Sequence, residues 1–227
     1  MGPPVPLTLD HLVIAAHTLD EGVDWCEATL GVRPPAGGQH VFMGTHNRVF
    51  NVSSARFPCS YVEVIAIDPS LPAPRHARWF DLDDAVLRRR LHDDGPRLVH
   101  WVARCADIHA ARAAMTAAGV DAGEVTDAER MTPGGLLRWR IALRADGRRP
   151  CGGVAPTLIE WGDRHPTDGL AASGVQLESL RVGLAGLDAP LPAAVERDAT
   201  PSAPPLCAVL ATPGGRVTLM SSLSTKG

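Results

Sequence analysis

Leu9-Asp10-His11-Leu12-Val13-Ile14-Ala15 is an apolar, β-branched run interrupted by an acid and a histidine, and it reads as a strand. Thr18-Leu19-Asp20-Glu21 follows, a capping box that starts a helix carrying Val23, Cys26, Ala28 and Leu30 and stopping at Gly31. Three strand-like runs come next: Gln39 to Met43, Arg48 to Ser53, and Tyr61 to Ile67. The order is β-α-β-β-β.

From Arg97 the order begins again. Arg97-Leu98-Val99-His100-Trp101-Val102-Ala103-Arg104 reads as a strand, and Asp107 can cap a helix running to Ala118 and ending at Gly119. Strand runs near Glu124 to Met131, Leu137 to Leu143 and Pro156 to Trp161 complete the second set. An internal repeat of this kind sets the architecture before any other signal. The sequence therefore predicts an α+β fold of two βαβββ modules, residues 7–68 and 97–168, forming a cupped mixed sheet with helices outside. Residues 69–96, rich in Pro, Asp and Arg, read as a linker with a short helix near Ala85 to Leu91. Residues 169–227 read as an extension, either a partial third repeat or a layer that covers the sheet. Within it Leu177 to Leu184 suggests a strand and Ala189 to Val195 a short helix. Thr212-Pro213-Gly214-Gly215 suggests a hairpin between Leu206–Ala211 and Arg216–Met220.

Side chains alternate along a strand, so His11 shares a face with Val13 and Ala15, and His100 with Leu98 and Val102. Glu63 lies with Tyr61, Ile65 and Ile67, and Glu160 with Leu158. Two histidines in the first strands and two glutamates in the last strands thus sit among apolar neighbours. A buried carboxylate without a partner costs several kcal/mol. One divalent metal ion held by His11, Glu63, His100 and Glu160 would account for all four, since it offsets both charges and binds neutral imidazole. Core histidines bonded to backbone and glutamates facing solvent are the plainer explanation.

The arrangement resembles the vicinal-oxygen-chelate superfamily, which includes glyoxalase, methylmalonyl-CoA epimerase and the extradiol dioxygenases. Asp10-His11-Leu12-Val13 is similar to that family's opening. The stretches Gly38 to Asn47, Tyr61 to Pro69, Arg78-Trp79-Phe80, Leu98 to Arg104 and Pro156 to Trp161 resemble the narrower group of glyoxalase-like domain proteins. The resemblance covers roughly residues 7 to 166. It implies ligands from the first and last strands of each module and a metal such as Zn, Ni, Mn, Co or Fe. It also implies lyase or isomerase chemistry on a small oxygenated substrate through an enolate-like intermediate, with Glu160 or Glu63 as the base. An extradiol-type iron dioxygenase using His11, His100 and Glu160 is a second expectation, and a non-catalytic ligand-binding or drug-resistance protein a third. His40, Thr45, Asn47, Arg78, Trp101 and Arg138 are the candidate substrate contacts. A polar hairpin, surface arginines and core tryptophans are the alternatives for them.

Composition narrows the field from the other side. The chain has 227 residues, 45% of them hydrophobic, with a formal net charge of −3, which gives no reason to expect nucleic acid or an anionic membrane as partner. Lys226 is the only lysine, a bias we read as coding rather than function. Five widely spaced cysteines form no CxxC pair, so neither a zinc knuckle nor a disulfide framework is expected. Cys151 reads as a loop residue, and Pro133-Gly134-Gly135 and Gly152-Gly153 lack the P-loop lysine. With no signal-peptide pattern or spanning apolar run, the expectation is a cytoplasmic protein, monomer or homodimer.

Overall fold

The computed structural model describes residues 5–132, 134–183, 188–200 and 202–221. In the first half, β1 (Thr8–Ala15) leads to α1 (Leu19–Leu30), then β2 (Gly38–His40), β3 (Thr45–Asn51) and β4 (Tyr61–Ile67). Thr18 and Glu21 form the reciprocal capping box, and Gly31 takes the left-handed conformation that ends the helix (φ 70°). After α2 (Ala85–Asp94), the second half repeats the pattern with β5 (Arg97–Arg104), α3 (Ile108–Ala117), β6 (Glu124–Thr132), β7 (Gly135–Leu143) and β8 (Thr157–Trp161). Asp107 caps α3 by accepting from the His109 and Ala110 amides.

These eight strands form one mixed sheet in the order β2-β3-β4-β1-β5-β8-β7-β6. β1 and β5 run antiparallel at its centre, β1 is parallel to β4, and β5 is parallel to β8. Each half is thus the reverse image of the other in strand order. The sheet curls into a cup, and Arg130 from edge strand β6 donates to the Asn47 side chain on β3 across its mouth (3.0 Å).

Alternation along the strands gives the sheet two apolar faces. The outer face carries Leu12, Ile14, Val62, Val64, Trp101 and Leu158 and packs against α1 and α3. A second sheet also covers it, built from β9 (Gln176–Gly183), β10 (Glu196–Asp198), β11 (Leu206–Thr212) and β12 (Gly215–Met220) in the order β10-β9-β11-β12. The inner face carries Val13, Ile65, Val102, Trp139 and Ile159.

The cup is filled from an unexpected source. Trp79, Phe80 and Leu82, in the segment between the two halves, pack into the inner cluster with Leu87 and Leu91 of α2. Phe80 and Asp81 both hold left-handed backbone angles (φ 58° and 61°), a conformation that costs about 1 kcal/mol or more per residue. Burial of the Phe80 ring, on the order of 2 kcal/mol, offsets much of this. A partly buried ion pair between Arg149 Nε and Asp81 (2.7 Å) ties the segment to the second half.

Several elements differ from expectation for local reasons. Only Gly38–His40 is strand in the run expected to reach Met43, because Val41–Met43 winds into a tight turn that closes at left-handed Gly44. β3 stops at Asn51, whose side chain accepts from the Ser53 amide and turns the chain. Ala189–Val195 is a turn, not a helix, since Pro190 and Pro192 remove two donors and bias their predecessors away from helical angles. Leu184 lies outside the described residues.

Candidate functional site

The site begins with an irregularity. The pairing of β1 with β5 shifts register between Leu9 and His11, a bulge that brings the side chain of Asp10 to meet that of its neighbour His11. Asp10 Oδ1 lies 2.7 Å from His11 Nδ1. Its Oδ2 accepts from the Trp161 indole at 3.0 Å and faces His165 Nε2 at 2.9 Å. The Thr167 amide donates to His165 Nδ1 (3.2 Å), and Arg104 Nη1 lies 2.9 Å from His165 Nε2. Burial works against a charged Asp10, but His11 and His165 outweigh it and hold the carboxyl well below the usual range.

On the other side of His11, Glu63 projects from β4 with Oε2 3.6 Å from His11 Nε2. Glu63 Oε1 accepts from Asn47 Nδ2 at 2.6 Å, and Asn47 in turn accepts from Arg130 and from the Gly38 amide (3.2 Å). Burial disfavours both ions, yet the flanking carboxylates raise His11 to about 9 and His11 helps lower Glu63 to about 2. His11 is therefore an imidazolium clamped between two carboxylates at neutral pH. Its face stacks on the Tyr61 ring at 4.5 Å.

The remaining walls are aromatic. Trp79, Phe80, Trp139 and Trp161 surround the pair, with His40 set edge-on to Trp79 at 4.8 Å. Burial pushes His40 down to about 4, so it is a neutral ring, bonded through Nδ1 to the Thr45 hydroxyl (3.2 Å). Gly37 makes the approach of these strands possible: a Cβ there would lie 1.6 Å from the Asn47 carbonyl oxygen. The space left among all these groups is about 30 Å³, enough for about one water.

Of the four expected metal ligands, the structure brings together His11 and Glu63 only. Glu160 requires a correction. It does share a face with Leu158, but that face is the outer one, where its carboxylate accepts from the Ile108 amide at the start of α3 (2.8 Å) and from Arg140. The inner face of β8 carries Thr157, Ile159 and Trp161, none of them a carboxylate. His100 is on the inner face but engaged: Nε2 meets the Thr157 hydroxyl at 3.0 Å and accepts from the Thr157 amide, while Phe80 packs against its ring. Burial, with Arg149 and His11 nearby, keeps His100 neutral by moving its pKa well below 6.5.

Among the described residues no three His, Cys, Asp or Glu side chains are placed to hold a metal ion. The residues present do not fit the expected four-ligand site, nor the His11, His100, Glu160 triad of an iron oxygenase.

The expected substrate contacts divide in the same way. His40 and Asn47 line the cleft, and Thr45 meets it only through its bond to His40. Arg78 does not: it binds Asp83 (2.6 Å) and the Gly44 carbonyl. Trp101 lies on the outer face, its indole donating to the Val154 carbonyl (3.1 Å). Arg138 is exposed on the outer side of β7 and pairs with Glu129. Sequence reasoning missed Asp10, Arg130 and His165 as members of the site. Arg130 had a signal, as the one basic residue on the Glu124-Thr126-Ala128-Arg130-Thr132 face of β6.

The model of the glyoxalase-like domain family matches residues 9–195. The chain belongs to that family. This places the glyoxalase-like protein within the vicinal-oxygen-chelate superfamily, in agreement with its cupped sheet of paired modules. Among solved structures, a hypothetical protein from Staphylococcus aureus matches with a TM-score of 0.51 and 16% identity, over 79% of this chain and 70% of that one. A variant of methylmalonyl-CoA epimerase from Streptomyces coelicolor matches at 0.43 and 23% identity, over 70% and 98% of the two chains. The epimerase from Mycobacterium tuberculosis matches at 0.41 and 18%, over 71% and 91%. The first of these likenesses speaks to fold alone. No curated protein sequence matches the chain. No helix among the described residues is long and apolar enough to cross a membrane.

Proposed function

We propose that this glyoxalase-like protein is an acid–base isomerase or lyase that moves a proton at a carbon next to a carbonyl. One observation carries the reading: His11 Nε2 and Glu63 Oε2 face each other at 3.6 Å, beyond a hydrogen bond, each held from behind by its own partner. A donor and an acceptor thus share one space. A substrate carbonyl oxygen would accept from His11 Nε2, and Glu63 Oε2 would take the proton from the adjacent carbon. The negative charge that develops on the oxygen would rest against the imidazolium, which Asp10 keeps protonated.

Glu63 at about 2 is a weak base while His11 is its counterion. Once a substrate oxygen occupies His11 Nε2, that support weakens and the basicity of Glu63 rises, in the one state where a base is needed. Return of the proton to the same carbon gives epimerisation, to a neighbouring atom isomerisation, and loss of a group from the next carbon elimination. Asn47 fixes which Glu63 oxygen is the base. Members of the superfamily that hold a divalent ion would use it to stabilise the same oxygen; here the fixed imidazolium serves that purpose.

The test is incorporation of deuterium from D₂O into a panel of 2-oxo acids and acyl thioesters, followed by NMR. Exchange should occur with the wild type and fall at least a hundredfold in Glu63→Gln. Elemental analysis should find well under one equivalent of metal. One equivalent, lost in both His11→Ala and His100→Ala, would restore the metal reading. A binding protein is the second reading, favoured by the aromatic walls around an ion pair that is complete without a ligand. Tight binding with no exchange across the panel would select it.

A further inference from the structure

The space around His11 and Glu63 is about 30 Å³, too small for any substrate with an enolisable carbonyl. A second cavity of about 320 Å³ lies directly behind the aromatic wall and is lined by the same Trp79 and Phe80, together with Phe42, Met43, Leu143 and Pro150. His76 and Arg148, both exposed, also border it. Two rings therefore divide a full cleft from an empty one.

Those rings combine backbone strain with an unpartnered donor. Phe80 and its neighbour Asp81 both sit at positive φ without being glycine. The Trp79 indole N–H is buried and has no acceptor among the described residues. The segment is anchored at its ends and not at its rings. Arg78 binds Asp83 and the Gly44 carbonyl on one side, and Asp81 binds the Gly147 carbonyl and Arg149 on the other. Between these anchors, Trp79 and Phe80 are held by stacking on each other (5.4 Å) and by contact with Phe42, His40 and His100.

We propose that Trp79 and Phe80 form a displaceable plug, and that the substrate pushes it aside to lay a flat apolar body into the cavity behind while its carbonyl reaches His11. The substrate class is then an aryl- or alkyl-substituted carbonyl compound, not a short polar one. The placement of the carbonyl rests on the proton-transfer reading; the displacement of the plug does not. Binding carries a conformational cost, because only the fraction of molecules with the plug displaced is competent.

The experiment reads binding and not turnover, so its failure is separate from failure of the chemistry. Phenylpyruvate, which joins an enolisable carbonyl to a phenyl ring, is titrated by calorimetry and by stopped-flow tryptophan fluorescence. The proteins compared are the wild type, Phe80→Ala, and Ala145→Trp, which fills the cavity from an exposed lining position. Circular dichroism checks that each is folded. Removing the Phe80 ring should tighten binding about tenfold or more and speed association, and filling the cavity should weaken binding by a similar factor. Equal affinity of Phe80→Ala and the wild type, an unaffected Ala145→Trp, or no binding by any of the three would each overturn the plug.

Discussion

Asp10→Asn probes the site at the residue least visible from the sequence. Asparagine has nearly the same shape and can still accept from the Trp161 indole, so the change removes charge more than packing. In the wild type, burial opposes the imidazolium, but Asp10 and Glu63 outweigh it and raise His11 from 6.5 to about 9. A rise of that size corresponds to roughly 3 kcal/mol of stability. The unfolded chain releases the His11 proton near 6.5, whereas the folded chain keeps it until about 9. The folded state thus binds more protons between these values, so this contribution is whole below pH 6.5 and is lost as pH climbs through 9. With Asp10 neutralised, only Glu63 supports the charge, from 3.6 Å. We expect the folded His11 value to fall to within about one unit of 6.5 and the pH-dependent stability to shrink to about 1 kcal/mol. Urea unfolding from pH 5.5 to 9.5, beside ¹⁵N-histidine NMR, measures both quantities. A wild-type His11 that titrates at or below 6.5, or equal losses of stability in the two proteins across this window, would refute the reasoning.

Three further outcomes follow from the same geometry. Gly37→Ala would force a Cβ against the Asn47 carbonyl and should cost about 2–4 kcal/mol in urea unfolding, while Gly169→Ala, with no atom near its Cβ, should change stability by about 0.5 kcal/mol or less. Glu160→Gln should cost about 1 kcal/mol through the start of α3 and leave deuterium exchange unchanged; loss of exchange would return Glu160 to the site. Burial lowers His40 to about 4, so between pH 6.5 and 4 the unfolded chain takes up a proton that the folded chain refuses. His40 should contribute roughly 3 kcal/mol to the fall in stability as pH drops through that window, with buried His100 adding to it, and His40→Gln should reduce the slope; an identical slope in the variant would show that His40 contributes nothing.

Much of the fold was legible because it rests on local chemistry. The Thr18–Glu21 capping box, the Asp107 cap and the alternation in Tyr61–Ile67 each specify an element from a few residues, and the structure has each of them. The repeated order β-α-β-β-β then leaves few ways to bury two sheet faces. Ala189–Val195 misled because its alanines favour helix more weakly than its two prolines oppose it.

The site was legible only where a residue's face followed from its own strand. Alternation says that Glu160 and Leu158 point the same way, and they do; it does not say which way. That is decided by which face α3 covers, a contact made fifty residues earlier in the chain. Asp10 was hidden for a different reason: alternation aims it away from His11, and a single extra residue in the β1–β5 pairing reverses this. The Trp79–Phe80 pair shows the same limit at longer range, since nothing in Arg78-Trp79-Phe80 distinguishes an aromatic linker from one that folds back into the cup. The physics selects the second. Curling eight strands leaves an apolar interior that neither half can fill, and the segment joining the halves is the nearest chain able to fill it. A fold that completes its core with a connector places that connector over whatever polar groups the core encloses, which is where His11 and Glu63 lie.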